Sequence, residues 1–229
     1  MISFLDRLAG TCEYDMLRGL DAVYTAIEAR EAEWKAASGV SCTDACGTCC
    51  VAFEPDVLDC EALYLALWLI ENEPAAARSI RDRTYPTERS DNAKGCFLYD
   101  PENPFHCTVY GGRCLICRLF GYTGDHGKDG GTRWKPCRFL PDTVLSSHIP
   151  PLSHRQYGQD ELNTVFNALP PVMSDIMQQA LSLSPGSSGE TRPLREALPE
   201  AIQRMQFILM YNARNPEDPD NNNRTPESA

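Results

Sequence analysis

The chain has 229 residues, 42% of them apolar and 23% charged, with a formal net charge of −11. This composition is typical of a folded domain, and the length is sufficient to bury a core without covalent cross-links. The acidic balance argues against binding to nucleic acid or to an anionic membrane surface, because both partners require a basic face.

The N-terminal region contains no usable signal peptide, because Asp6 and Arg7 interrupt its short apolar run. The most apolar segment, residues 57–71, is too short to cross a hydrocarbon layer of about 30 Å. We therefore expect a cytoplasmic protein that binds neither membranes nor nucleic acid.

Apolar residues recur at helical spacing in the first third of the chain. Residues 14–36 are amphipathic and predict a helix that ends near Gly39. Residues 57–70 are apolar on nearly every side, which predicts a helix buried in the middle of the fold, with Asp56 as its N-cap. Pro74 is expected to break this helix and to begin a short third one.

Helical spacing is lost in residues 84–157 and returns after them. This middle segment contains five cysteines and many glycines and prolines, and loops of such length are uncommon unless something ties them down. Helices are predicted again from Asp160, with a break at Pro170–Pro171, and over residues 199–211. The predicted fold class is therefore mainly α with an irregular, loop-rich metal-binding middle segment.

These elements predict a single cysteine-cluster domain over residues 1–211. Residues 40–140 form its metal-binding segment, with helices before and after. The polar, low-complexity residues 212–229 are predicted to be a disordered tail.

Eleven cysteines are the chief chemical feature of the chain. A reducing cytoplasm keeps thiols free, so they indicate metal binding more than disulfides, and their odd number leaves at least one outside any all-disulfide scheme. Cys46 and Cys49 have the spacing of a ligand pair for tetrahedral zinc or an iron–sulfur cluster, and Gly47 allows a left-handed turn between them. Cys114 and Cys117 form a second pair of this kind.

Cys49 and Cys50 are adjacent in the sequence. Neighbouring side chains in extended or turn backbone point in different directions, so both rarely bind one ion. The adjacency therefore indicates two metal sites or a multinuclear one. Cys12 and Cys60 lie in predicted helical surroundings and are expected to be small buried hydrophobic residues.

Two boxes of residues carry a family resemblance. The first is Cys42–Cys50, and the second runs from Cys107 through Arg113 and Cys117 to Phe120. Together they resemble the CxxCxxCC cysteine-cluster family, also called YkgJ-like, whose described role is to chelate zinc or iron. The resemblance covers residues 40–140 and implies a ligand set of eight cysteines. These are Cys42, Cys46, Cys49, Cys50, Cys96, Cys107, Cys117 and Cys137.

The chain departs from the family pattern at two positions. The gap after Cys42 has three residues instead of two, and Cys114 stands where the family has proline. We rank Cys114 below Cys107 as a ligand and keep it as a candidate substitute. Arg118 and Arg138 each directly follow a cysteine of the set. We expect these cations to lie next to the metal-bound thiolates and to offset the negative charge of a metal with four thiolates.

Sulfur ligation excludes magnesium and calcium and leaves zinc or an iron–sulfur cluster. The chain lacks the complete run of closely spaced cysteine ligands that ferredoxins have, which favours zinc over an iron–sulfur cluster. We expect a metal ion as partner, in a structural or metal-handling role, with the protein partner and any substrate left open.

Other functions remain open at this point. They are the accessory metal centre of a methyl- or other group-transferring enzyme and an iron–sulfur redox carrier or sensor, so the sequence does not decide whether the protein is an enzyme. The spacing of Cys42, Cys46 and Cys49 also matches radical S-adenosylmethionine enzymes, but the chain lacks the strand–helix alternation of their barrel.

Overall fold

The computed structural model describes residues 2–42, 46–86, 95–183 and 189–214. Within these ranges the fold is mainly helical with a loop-rich middle, which confirms the predicted fold class. Short 3₁₀ helices cover Ser3–Leu8 and Tyr110–Gly112. The α-helices are α1 (Cys12–Ser38), α2 (Thr48–Ala52), α3 (Asp59–Asn72), α4 (Pro74–Arg81), α5 (Leu115–Leu119), α6 (Asp142–Ser147), α7 (Gln159–Phe166), α8 (Met173–Ser182) and α9 (Leu194–Arg214).

The strands of the described residues form two short antiparallel pairs. β1 (Asp56–Val57) pairs with β4 (Arg192–Pro193), so that Asp56 lies opposite Pro193. β2 (Asp125–His126) pairs with β3 (Thr132–Arg133). The first pair places the beginning of α3 beside the beginning of α9, although the two helices are far apart in the sequence.

α1 confirms the predicted amphipathic helix and extends it at both ends. The Thr11 hydroxyl oxygen accepts a hydrogen bond from the Tyr14 N–H at 3.2 Å, and Gly39 ends the helix with a left-handed φ of 64°. One carboxylate, Glu31, interrupts its apolar stripe at a position where the spacing of three and four residues favours an apolar side chain. A second buried carboxylate, Glu13, lies in the first turn, and the buried residues of the helix are Glu13, Leu17, Leu20, Tyr24, Ile27, Glu31, Trp34 and Ser38.

α3 lies in the middle of the fold, as its apolar sequence predicts. Its side chains at Leu63, Leu65, Leu67 and Leu69 are all completely buried. The helix packs against α1, α4 and α9. Burying one leucine side chain stabilises a fold by about 1.5–3 kcal/mol, so α3 contributes much of the packing free energy.

The prediction that Asp56 caps α3 is wrong. Asp56 belongs to β1, and the helix begins at Asp59. Glu61 satisfies the helix start instead, because its Oε2 accepts a hydrogen bond from the Leu58 N–H at 3.0 Å. This carboxylate is buried, and its second oxygen accepts a hydrogen bond from the metal-binding segment.

A second cluster of buried side chains packs residues 134–166 against the C-terminal half of α1. The rings of Trp34, Trp134 and Phe166 meet edge to face, with centroid separations from 5.1 to 5.8 Å. Such ring pairs add about 0.5–1.5 kcal/mol beyond the burial of their surface. The irregular middle segment is therefore ordered in part by apolar packing.

The last third of the chain is helical, with two differences from the prediction. α7 and α8 are separated around Pro170–Pro171 as predicted, but α9 begins at Leu194 and not at Pro199. The Leu194 N–H donates to the Pro55 carbonyl oxygen at 3.1 Å, so contact with the chain before β1 sets this helix start. Residues 212–214 of the predicted tail continue α9, and the rest of that tail lies outside the described residues.

Within the described part of the chain, no helix combines the length and the apolar character needed to cross a membrane. The single domain over residues 1–211 stays a prediction. The cytoplasmic location stays a prediction as well.

Candidate metal centre

Cysteines from three parts of the chain line one cavity of about 370 Å³. They belong to the chain in and before α2, to the loop of residues 96–107, and to the beginning of α5. All eleven cysteines of the protein are described and none of them forms a disulfide, so no disulfide competes for these sulfurs. The cysteines on the cavity wall are Cys42, Cys46, Cys49, Cys50, Cys96, Cys107, Cys114 and Cys117.

Seven of the eight predicted ligands therefore share this cavity, and the candidate substitute Cys114 joins them. The eighth predicted ligand, Cys137, lies outside the cavity wall and packs against the second apolar cluster. Cys137 is nevertheless near Cys42, and its charge therefore helps to raise the pKa of the Cys42 thiol. Which of these sulfurs bind metal stays a prediction.

α2 brings the sulfurs of Cys49 and Cys50 to within 3.9 Å of each other. The prediction that these neighbouring side chains point in different directions is wrong, because the segment is helical instead of extended. Two thiolates on one tetrahedral zinc ion are about 3.8 Å apart, given zinc–sulfur bonds of about 2.3 Å. The pair therefore fits one shared metal, and its adjacency no longer argues for two sites.

Two glycines allow the loops around the cavity to approach closely. Gly47, before α2, has a left-handed φ of 51°, as the CxxC spacing predicts, and a Cβ there would lie 2.5 Å from the Cβ of His106. A Cβ on Gly95 would lie 2.3 Å from the carbonyl oxygen of Cys50. Because Gly95 has none, the Cys96 N–H donates to that carbonyl oxygen at 3.1 Å and holds Cys96 beside α2.

Glu61 couples the buried helix α3 to the CxxC pair of α5. Its Oε1 accepts a hydrogen bond from the Leu115 N–H at 2.6 Å, while its Oε2 caps α3. Burial raises the pKa of this carboxyl group. Since Leu115 directly follows Cys114, the carboxylate fixes the start of α5 and thereby the positions of Cys114 and Cys117.

Arg118 ties the metal-binding segment to α1. Its buried guanidinium donates to the carbonyl oxygens of Gly111 and Arg113 at 2.8 Å and to Glu28 at 2.6 Å. It also lies 4.2 Å from the centre of the Tyr24 ring. These partners are not sulfurs, and the predicted action of Arg118 on a metal-bound thiolate stays a prediction.

Arg113 is the cation that influences the sulfurs most clearly. It lines the cavity, and its charge helps the hydrogen bond from Cys50 to lower the pKa of Cys49 to about 6. From the sequence, Arg113 is identified only as one position of the family box. The sequence does not show which cationic side chain lines the cavity. The guanidinium of Arg138 lies 4.6 Å from the centre of the Phe139 ring, and its predicted role also stays a prediction.

The pKa shifts link the sulfurs into an inner and an outer group, with Cys49 acting on members of both. In the inner group, burial and then the charges of Cys96 and Cys107 raise the pKa of Cys117. In the outer group, burial and then the neighbouring sulfurs of Cys46 and Cys137 raise the pKa of Cys42 to about 11. A bound cation would relieve this repulsion between thiolates. The inner group is Cys49, Cys50, Cys96, Cys107 and Cys117, and the outer group is Cys42, Cys46 and Cys137.

Aromatic side chains surround the opening of the cavity. Phe53 and Phe120 meet edge to face at 5.2 Å, and Phe105 and Tyr110 stack at 4.3 Å. All four line the cavity and are at the same time exposed to solvent. Exposed apolar surface around a cavity is typical of a binding site.

Among the described residues, no three histidine, cysteine, aspartate or glutamate side chains already surround one point as metal ligands would. The fit to a metal therefore rests on the chemistry of the donors. Thiolate sulfur is the donor that zinc and iron–sulfur clusters prefer, and the cavity presents eight thiols. Its wall also carries one buried carboxylate oxygen without a hydrogen-bond partner, Oε1 of Glu31. These residues fit a cation with affinity for sulfur.

The structure is thus a mainly helical fold with a cavity lined by eight cysteines. Residues 41–139 match the model of the CxxCxxCC family, which is described as a "putative zinc- or iron-chelating domain". This match confirms the resemblance found in the cysteine pattern. No curated protein and no solved structure matches the chain.

Proposed function

We propose that this protein binds zinc or an iron–sulfur cluster through the cysteines of the cavity, in a structural or metal-handling role. The observation that supports this most is the convergence of eight cysteines, none of them in a disulfide, from three parts of the chain on one cavity. Free thiols also accord with the cytoplasm, where we place the protein. The proposed ligands are Cys42, Cys46, Cys49, Cys50, Cys96, Cys107, Cys117 and Cys137, with Cys114 as a substitute.

Zinc is the favoured metal. The separation of 3.9 Å between the sulfurs of Cys49 and Cys50 is close to that expected for two thiolates on one zinc ion. A metal in the cavity would cross-link α2, the loop of residues 96–107 and α5. Arg113, on the cavity wall, would offset part of the negative charge of the thiolates.

The aromatic opening favours a second candidate function, the accessory metal centre of a group-transferring enzyme. Structural zinc sites are closed by four protein ligands, whereas a catalytic site keeps a position that faces a solvent-accessible cavity. Here the cavity opens between Phe53, Phe105, Tyr110 and Phe120. An iron–sulfur redox carrier is the third candidate, and reversible loss of visible colour on reduction would favour it.

Anaerobic purification of the full chain, with zinc, iron and sulfide quantified, tests the proposal. We expect a colourless protein with stoichiometric zinc; a coloured protein with iron and sulfide would identify a cluster instead. Cys49→Ser should lower the metal content. Cys12→Ser is the matched control, because Cys12 lies at the start of α1 and does not line the cavity. Wild-type protein without metal, or unchanged metal content in Cys49→Ser, would contradict the proposal.

A further inference from the structure

Glu31 is a buried carboxylate on the wall of the cysteine cavity. The residue is only 7% exposed, and its Oε1 has no hydrogen-bond partner among the described residues. It lies in α1, outside residues 41–139 that match the family model. An unpartnered buried carboxylate oxygen is costly, so native folds rarely keep one without a ligand or a donor.

The packing of α1 holds Glu31 in this position. Ile27 and Trp34, one turn before and one turn after it, are both nearly completely buried. Lys35 lies on the next turn, with its Nζ 3.7 Å from Oε2 of Glu31. The lysine therefore compensates one carboxylate oxygen at long range and leaves Oε1 for an occupant of the cavity.

Tyr122 connects Glu31 to the outer group of cysteines. Its hydroxyl oxygen accepts a hydrogen bond from the Cys42 N–H at 3.2 Å, and its ring lies 4.0 Å from the Lys35 Nζ. Tyr122, Lys35, Glu31 and Cys42 thus form one continuous part of the cavity wall. The carboxylate and two of the outer cysteines, Cys42 and Cys46, therefore line the same cavity.

We propose that Glu31 is an oxygen ligand of a metal ion held at the outer cysteines, which makes this end of the cavity a mixed sulfur–oxygen site. This inference rests on the proposed function, since it requires that the cavity bind metal. Cys42 and Cys46 line the cavity and Cys137 lies close enough to act on the Cys42 thiol. With these three sulfurs, one carboxylate oxygen would complete the four ligands of a tetrahedral ion.

The charges around Glu31 agree with this assignment. A zinc ion with three thiolates and one carboxylate carries an excess negative charge, and Lys35 lies within reach to offset it. Arg113 lines the same cavity, and its positive charge, like that of Lys35, favours the ionised form of the Glu31 carboxylate. The metal would convert the unpartnered oxygen into a bonded one, which removes the cost of its burial.

X-ray absorption spectroscopy on zinc-loaded full-length protein tests the inference. The comparison uses wild type, Glu31→Ala, Glu31→Gln and Glu33→Ala, with zinc affinity measured by competition with a chelator. Glu33 is the matched control, because it lies in the same helix, is exposed and does not line the cavity. Glu31→Gln keeps the size of the side chain, so that a loss of affinity is not attributable to a collapsed fold.

We expect wild type and Glu33→Ala to show sulfur neighbours together with an oxygen neighbour at about 2.0–2.2 Å from zinc. Glu31→Ala should lose that oxygen or up to one equivalent of zinc. Both Glu31 variants should bind zinc at least about tenfold more weakly. If the protein is isolated with iron, the same comparison applies at the iron edge.

Two results would overturn the inference while leaving the proposed function intact. One is a metal surrounded only by sulfur in wild type, and the other is unchanged neighbours and unchanged affinity in Glu31→Ala. A wild-type protein that binds neither zinc nor iron would instead overturn the proposed function, and the role of Glu31 with it.

Discussion

The helical body formed by α1, α3, α4 and α9 and the metal-binding segment are held together by different interactions. The body buries leucine side chains along the whole of α3. The metal-binding segment is attached to it by apolar side chains, such as Leu98, Leu115 and Leu119, and in addition by charged side chains. Glu61 holds α5, Arg118 holds the loop before α5, and Glu54 after α2 pairs with Arg195 of α9 at 2.8 Å.

This difference separates stability from metal binding. Apolar burial does not depend on a metal, so the body should fold in its absence. The cavity depends on a few polar contacts that place the sulfurs, and the thiols gain a cross-link only when a metal is bound. Substitutions in the two regions should therefore have distinguishable effects on unfolding and on metal content.

The largest effect is expected from Leu63→Ala in the centre of α3. The side chain is completely buried, so its truncation should lower the free energy of unfolding by about 2–5 kcal/mol, with or without metal. Chemical denaturation of the metal-free and metal-loaded protein measures this. Leu181→Ala makes the same chemical change at an exposed position of α8 and should have little effect. Equal losses in the two variants would contradict the central role of α3.

Glu61→Gln tests the contact between the two regions. An amide cannot accept from both the Leu58 and the Leu115 N–H groups, so one buried donor loses its partner at a cost of about 1–3 kcal/mol. Metal content should also fall, although no cysteine has changed. Denaturation and metal analysis measure the two effects, with the exposed Glu73→Gln as control. Normal metal content in Glu61→Gln would show that α5 is positioned independently of α3.

Glu71→Gln tests a contact made only within the helical body, and its effect should depend on pH. Although partial burial opposes it, hydrogen bonds from Ser3 and the Phe4 N–H lower the pKa of Glu71 below its ordinary 4.5. The resulting stability is present above pH 4.5 and is lost as the pH falls through the lower pKa of the folded state. The substitution should cost at most about 1 kcal/mol at neutral pH.

Denaturation of wild type and Glu71→Gln at neutral and at acid pH measures this difference. The two proteins should converge in stability in acid. Metal content should be the same in both, because Ser3, Phe4 and Glu71 do not line the cavity. A difference that grows toward acid pH would reverse the sign and contradict the assignment.

Cys49→Ser should have the smallest effect on the metal-free protein, within about 0.5 kcal/mol, because the side chain is only partly buried and serine is similar in size. Its effect should appear on addition of metal, which should stabilise wild type more than the variant. Thermal unfolding with and without zinc measures the difference. A strong destabilisation of the metal-free variant would show that Cys49 acts in packing.

Local patterns in the sequence were sufficient to predict most of the helices. Apolar spacing predicted α1 and the burial of α3, because both depend on periodicity within one segment. The start of α3 was predicted at the wrong residue, because β1 pairs with a strand next to α9. The start of α9 was also predicted at the wrong residue, because the Leu194 N–H donates a hydrogen bond to the carbonyl oxygen of Pro55. Such partners are distant in the sequence and leave no local pattern.

The candidate site was predictable only in its sulfurs. The family box and the CxxC spacing identified the cysteines that line the cavity, but adjacent cysteines in a short helix were mistaken for divergent ones. Glu61 and Arg113 have no distinguishing local pattern, since their roles arise from tertiary contacts. Glu31 did leave a signal: it is an acidic residue at an apolar position of the α1 stripe, four residues after Ile27 and three before Trp34.

The hydrogen bond between Cys96 and Cys50 has a consequence for the order of events during synthesis. The two residues lie side by side on the cavity wall, yet α3 and α4 separate them along the chain. A nascent polypeptide therefore offers a passing ion the closely spaced thiols of residues 42–50 first, since Cys96, Cys107, Cys114 and Cys117 are synthesised only after α3 and α4. Correct loading is accordingly a late step, and an ion captured too early would occupy an incomplete set of donors.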